Sequence, residues 1–153
     1  MAKNIEKTLT KMTKKIGEDH IEVVEEAKQS TVYVTNEKLI EFLNLLKEKE
    51  GFGFLADLTA ADYEEHFETI YHLMSLEDCS EIRVKVKLSK ENPCVTSLVS
   101  LWNAADVQER EAYDMFGINF EGHPDLKTIL LPDDFEGHPL RKDFKLDTGA
   151  RER

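Results

Sequence analysis

Cysteine is scarce in this chain: Cys79 and Cys94 are the two it has, and neither sits in a CxxC or CxxH arrangement. Local spacing therefore offers no zinc ribbon and no iron–sulfur cluster, and two buried free thiols in a reducing compartment are expected. Long apolar runs are missing too. Nowhere do about 18 apolar residues follow one another, as a membrane-crossing helix requires, and the N-terminal MAKNIEKTLTKMTKKIGEDH lacks the apolar core of a signal peptide. Positive charge is in deficit, with 20 Lys and Arg against 31 Asp and Glu and a net charge of −11. That balance argues against a nucleic-acid surface, whose affinity comes from clustered cations. GFGFLA (51–56) lacks the third glycine of GxGxxG and the GK[ST] ending of a phosphate loop, so no nicotinamide or flavin site is expected. No serine nucleophile elbow occurs either. The expected location is cytoplasmic, with any membrane association made through another protein.

What is present suits one domain of 153 residues, a size that buries about two thirds of its unfolded surface. Ile5, Leu9, Met12 and Ile16 repeat at helical spacing and Gly17 supplies a stop. IEVVEE (21–26) and STVYVT (30–35) alternate around a turn containing Ala27, Lys28 and Gln29, which predicts a β-hairpin. Asn36 is placed to cap a second helix bearing Leu39, Ile40, Leu43 and Leu46. LADLTAAD (55–62), HFETIYHLMSL (66–76) and EIRVKVKLS (81–89) read as strands. In the last, Ile82, Val84, Val86 and Leu88 face one way and Arg83, Lys85 and Lys87 the other. The fold expected is α+β, a two-layer sandwich of a mainly antiparallel sheet with helices on one side. From Pro93 to Gly117, one broken helix or two short ones are expected, the second near 103–116. The α+β domain is bounded at 1–118, and 119–153 forms an extended C-terminal tail in which TILL (128–131) is the one candidate strand.

Two features ask for chemistry. FEGHP occurs at 120–124 and again at 135–139, placing His123 and His138 in identical local settings. A small metalloenzyme using these histidines, with Asp125, Asp133 or Asp134 as further ligands, is one reading. A separation of fifteen residues through a proline-broken segment provides no rigid ligand geometry, however. Proline stiffens its own φ and holds the preceding histidine extended, so Gly-His-Pro is better read as a turn presenting an imidazole. The flanks of the two copies differ, which argues for reuse of a turn rather than a repeat.

The second feature is QEREAYD (108–114). Arg110 is spaced to pair with Asp106 and Asp114 on a helix, while Glu109 shares a face with Ala105, Ala112 and Phe116. A carboxylate among apolar neighbours is expected to meet a cation. Beyond it, Ile129, Leu130, Leu131, Phe135, Leu140 and Phe144 alternate with charged residues in a segment too short to fold by itself. The economical expectation is a tail that lies along another protein, its prolines limiting the ordering entropy.

Taken together, DVQEREAYDMFGINFEGHPDLKTILLPDDFEGHPLRKDF (106–144) resembles the signature region of the C subunit of proton-pumping NADH:quinone oxidoreductase, respiratory complex I. The matching pattern is an ERE helix, an acidic and aromatic cluster, a GHP turn, a basic residue, an aliphatic pair and a closing G-x-P-LRKD. Val107, Thr128 and Phe144 depart from it singly, where an aromatic, a second basic residue and a tyrosine are common. The resemblance implies a hydrophilic-arm subunit with no catalytic residues and no flavin, iron–sulfur cluster or quinone ligand of its own. FMN and iron–sulfur clusters are then expected on partner subunits. It further implies packing on the D subunit, which is related to hydrogenase large subunits, and on other hydrophilic-arm subunits, at the cytoplasmic side of the membrane. Under it, the partner-facing residues are expected to be Glu109, Arg110, Glu111, Asp114, His123, Leu130, Pro132, Phe135, His138, Pro139, Leu140, Arg141, Lys142, Asp143 and Phe144. Related assemblies reuse this subunit, so the alternative is the same role in an energy-converting hydrogenase or a ferredoxin-linked complex.

Overall fold

The computed structural model describes residues 5–26 and 29–145. The first helical stripe forms α1 (Ile5–Ile16), burying Leu9, Met12 and Ile16, and Gly17 ends it at φ 123°. β1 (Ile21–Glu26) and β2 (Gln29–Val34) pair antiparallel from Ile21↔Val34 to Glu26↔Gln29. The expected hairpin is therefore present, and positions 27 and 28 of its turn lie outside the described residues. α2 (Asn36–Glu48) buries Leu39, Phe42, Leu43 and Leu46. Its capping position is Thr35 rather than Asn36, and no side chain caps the helix. The Asn36 Oδ1 instead accepts from the N–H and hydroxyl of Thr96 at 2.9 and 3.1 Å, so it ties the helix start to a distant strand.

β3 (Phe54–Asp62), β4 (His66–Met74) and β5 (Glu81–Ser89) complete a five-stranded sheet of order β1-β2-β5-β4-β3. β5 inserts beside β2 in parallel, and the other pairings are antiparallel. Period-two patterning decides the faces. Val32, Val34, Phe67, Tyr71, Leu73, Ile82, Val84 and Val86 share one buried cluster with the apolar stripes of the helices. Arg83, Lys85 and Lys87 lie on the opposite face, as alternation predicts. That face is drier in its middle than expected: Glu68 and Lys85 are buried and 3.5 Å apart, and Glu68 also meets the Tyr33 hydroxyl and the His66 ring.

The segment from Pro93 to Gly117 departs from expectation in its first half, while the helix expected near 103–116 is present. Residues Cys94–Thr96 form a short strand, β6, turns follow, and a single helix, α3, runs Ala105–Phe116. Apolar residues at 98, 101 and 102 mimic helical spacing but serve a packed turn. The Trp102 indole donates to the Gly53 carbonyl at 3.0 Å, and the Lys47 ammonium donates to the Leu101 carbonyl at 2.6 Å. Residues Asn119–Glu121 then form β7, parallel to β6, with Phe120 buried. The first FEGHP thus begins in a core strand, whereas the second lies in irregular chain. TILL is not a strand. Of the two thiols, Cys94 is partly buried, but Cys79 is exposed and holds a left-handed φ of 59° in the β4–β5 turn, contrary to the expected burial.

Candidate partner-docking surface

α3 is the spine of the site because the chain after β7 runs back along it. Near the helix start, the His123 ring, whose side chain is 0% exposed, lies 3.1 Å from both the Asp106 carbonyl and the Asp106 carboxylate. Its Nδ1 accepts the Asp125 N–H at 3.0 Å, so Nε2 carries the hydrogen directed at Asp106. Both ring nitrogens are engaged by protein. Farther along, the Arg110 guanidinium donates to the Lys127 and Thr128 carbonyls at 3.2 and 2.9 Å. These bonds replace the predicted pairs with Asp106 and Asp114, since the returning chain occupies the space beside the helix.

Glu109 corrects a second expectation. It is 0% exposed, and hydrogen-bond donors rather than a cation meet it. The Ser97 hydroxyl reaches Oε2 and the Leu98 N–H reaches Oε1, each at 2.6 Å. Burial pushes its carboxyl above the ordinary range, against the lowering effect of those two donors. The turn after β6 is therefore tied to α3 by one carboxylate.

Asp114, 1% exposed, gathers the returning chain. Its Oδ2 accepts the N–H groups of Ile129, Leu130 and Leu131 at 2.8, 2.7 and 3.2 Å. These bonds consume the donors that a TILL strand would have used. The Asp114 carbonyl accepts from the His138 Nδ1 at 2.9 Å, and the Leu140 N–H donates to the Met115 carbonyl at 3.0 Å. At the helix end, the Arg141 Nε donates to the Phe116 carbonyl, and its guanidinium lies 5.0 Å from the Phe67 ring centroid. Gly117 makes this closure feasible. Its φ is +74°, and a Cβ there would stand 2.7 Å from the His138 ring and 2.8 Å from the Arg141 guanidinium. Gly117→Ala is expected to cost about 2 kcal/mol through the left-handed backbone and this crowding, measured as a lower denaturant midpoint.

Of the residues predicted to face a partner, Glu109, Arg110, Asp114, His123, His138 and Arg141 thus hold groups of their own chain. Glu111, Pro132, Lys142 and Asp143 are exposed, while Pro139 and Phe144 are half-buried. Leu130 is 61% exposed, Leu140 55% and Phe135 36%, and the Phe135 and Phe144 rings stack at 6.0 Å. Three large apolar side chains consequently stay exposed on a segment whose Leu130 and Leu140 N–H groups bond to α3 and whose Phe135 N–H bonds to the Pro132 carbonyl. Sequence reading missed Asp62, Phe67, Lys90 and Ser97, which complete these fastenings. Each sits in an ordinary strand or turn context, and no spacing rule links it to α3 or to the C-terminal run.

This combination, an acidic α+β body with a motif-bearing segment bound along α3, invites comparison with known proteins. Residues 32–150 match the family model described as respiratory-chain NADH dehydrogenase, 30 Kd subunit. The chain belongs to that family. Among its relatives, the C subunit of NADH-quinone oxidoreductase from Moorella thermoacetica is 54% identical over 134 residues, 86% of this chain and 90% of the relative. The C subunit from Citrifermentans bemidjiense is 41% identical over 155 residues, covering 99% and 96%. Among solved structures, the trypsin-resistant fragment (1–134) of Nqo5 aligns with TM-score 0.69 and 32% identity, covering 80% of this chain and 98% of that one. A chain of the membrane-bound sulfane sulfur reductase, an archaeal respiratory membrane complex, aligns with TM-score 0.80 and 26% identity, covering 97% and 90%. The expected α+β fold is that of the 30 kDa subunit family. No described helix of this family member is long and apolar enough to cross a membrane.

Proposed function

We propose that this chain is the C subunit of a complex I type NADH:quinone oxidoreductase, a peripheral-arm component docked on the D subunit at the cytoplasmic side of the membrane. It contributes no cofactor. FMN and the iron–sulfur clusters sit on other subunits, and this chain supports electron transfer to quinone, coupled to proton translocation, by holding its neighbour in place. The observation that carries the docking role is the exposed set Leu130, Phe135 and Leu140, whose own N–H groups are already bonded to Asp114, Pro132 and Met115. Isolated surface leucines are ordinary, but three apolar groups on one short fixed segment suit the buried centre of an interface. The names of the relatives at 54% and 41% identity support the oxidoreductase assignment. A second reading, the same subunit in a hydrogenase-like or ferredoxin-linked membrane complex, is favoured by the likeness to the sulfane sulfur reductase chain over 97% of this sequence.

Truncation tests the docking role. A cut before residue 120 would remove Phe120, which is 2% exposed, and so damage the core. A chain ending at Asp134 instead keeps β7 and the Asp114 bonds while losing Phe135, Leu140 and Arg141. It is expected to fold with native-like circular dichroism and to stop co-purifying with a co-expressed D subunit. Undiminished co-purification would refute the role. Isolating the native complex and identifying its electron-input subunits separates the two readings.

A further inference from the structure

We infer that the C-terminal run is latched to the end of the sheet in the free chain, with Asp62 as the positioning residue, so that the partner meets a preformed surface. This rests on the docking role proposed above. Asp62 is the last residue of β3, and its side chain is 4% exposed. Its Oδ2 accepts the N–H of Lys142, 80 residues later, at 2.7 Å. Its Oδ1 pairs with the Lys90 ammonium at the end of the hairpin formed by β4 and β5. That ammonium lies 4.5 Å from the Phe67 ring centroid, and the Arg141 guanidinium lies 5.0 Å from the same centroid. One buried carboxylate thus neutralises a cation at the sheet end and fixes the backbone next to Arg141.

The consequences extend along the run in both directions. Leu140 precedes Arg141, has its N–H on the Met115 carbonyl, and keeps its side chain outward. After Lys142, the Phe144 N–H closes a turn onto the Arg141 carbonyl at 3.1 Å, and the Phe144 ring stacks on Phe135. Asp62 therefore determines where Leu140 stands relative to the aromatic pair. The occupant that fits is an apolar patch on the D subunit proposed above, complementary to the exposed Leu140 and Phe135 side chains. Holding these groups before contact reduces the ordering entropy that binding would otherwise meet.

The test uses the full chain and the purified D subunit, with amide exchange and binding kinetics as readouts. For Asp62→Ala, the Lys142 and Phe144 amides are expected to exchange about tenfold faster or more, and affinity to weaken about tenfold, while β4 and β5 amides keep their protection. Asp62→Asn keeps an acceptor for the Lys142 N–H but loses the ion pair, and should fall between parent and alanine variant. If the alanine variant does not fold, the asparagine variant makes the same comparison. Unchanged Lys142 exchange, or unchanged affinity while Leu140→Asp abolishes binding, would overturn the latch and leave the docking role standing. If Leu140→Asp also binds as the parent does, both ideas fall.

Discussion

Asp114→Ala is expected to lower the unfolding free energy by about 3 kcal/mol. The carboxylate is buried and its Oδ2 takes three consecutive backbone N–H groups. Removing it leaves donors without a partner in a place that water reaches poorly, which costs more than the net worth of the bonds themselves. The loss should be local as well as global. Amides of Ile129, Leu130 and Leu131 should exchange faster, and the Leu130 side chain should lose its fixed position. The His138 contact is made to the backbone carbonyl of Asp114, so the turn at the second FEGHP should stay seated. Asp114→Asn retains one acceptor oxygen and is expected to cost about 1 kcal/mol. Denaturant unfolding with residue-resolved exchange checks both values, and an alanine variant as stable as the parent would contradict the assigned role.

Glu109 should show the second large effect, and one that depends on pH. Glu109→Ala orphans the Leu98 N–H and the Ser97 hydroxyl beneath α3 and opens a cavity, at a cost of about 3 kcal/mol. Glu109→Gln can accept from the Leu98 N–H and donate to the Ser97 oxygen, so its cost should stay within about 1 kcal/mol. Because burial raises the folded-state carboxyl above its ordinary value, the folded protein holds that proton more tightly than the unfolded chain. The parent's contribution from this group is complete at pH below the ordinary carboxylate range. It declines as pH rises through that range towards the raised folded value. The glutamine variant has no such titration. Its stability relative to the parent should therefore improve with rising pH, measured as the difference in unfolding free energy across a series of buffers. A difference that moves the other way would mean that hydrogen bonding outweighs burial at Glu109.

Both residues lie within QEREAYD, the motif that carries the family resemblance, and their contacts show what local sequence rules cannot reach. Helical spacing suggested Arg110 pairs with Asp106 and Asp114, yet these side chains bind groups that lie 15 to 18 residues downstream or close by the returning chain. Spacing rules describe neighbours on one helix. Once a second segment packs on that helix, a buried carboxylate gains more from several fixed N–H groups than from an exposed i, i+4 pair, worth a few tenths of a kcal/mol. Glu109 illustrates the same principle. Its burial was readable from Ala105, Ala112 and Phe116, whereas the identity of its partners depended on how the chain turns after β6.

From the sequence by itself followed the α+β class, the strands with period-two alternation, the first two helices and membership in the 30 kDa subunit family. Each depends on short-range periodicity or on residues at set spacing, and both survive in one dimension. Tertiary structure alone decided that Asp62 meets Lys142, that Gly117 leaves room for His138 and Arg141, and that Phe120 belongs to a core strand. These are juxtapositions of backbone groups across irregular chain, where neither propensity nor hydrophobic period carries information about the partner. For the same reason, Glu109, Arg110, Asp114 and Arg141 of the motif prove to fasten the segment from within, while Leu130, Phe135 and Leu140 stay exposed among charged residues such as Asp133, Glu136 and Lys142.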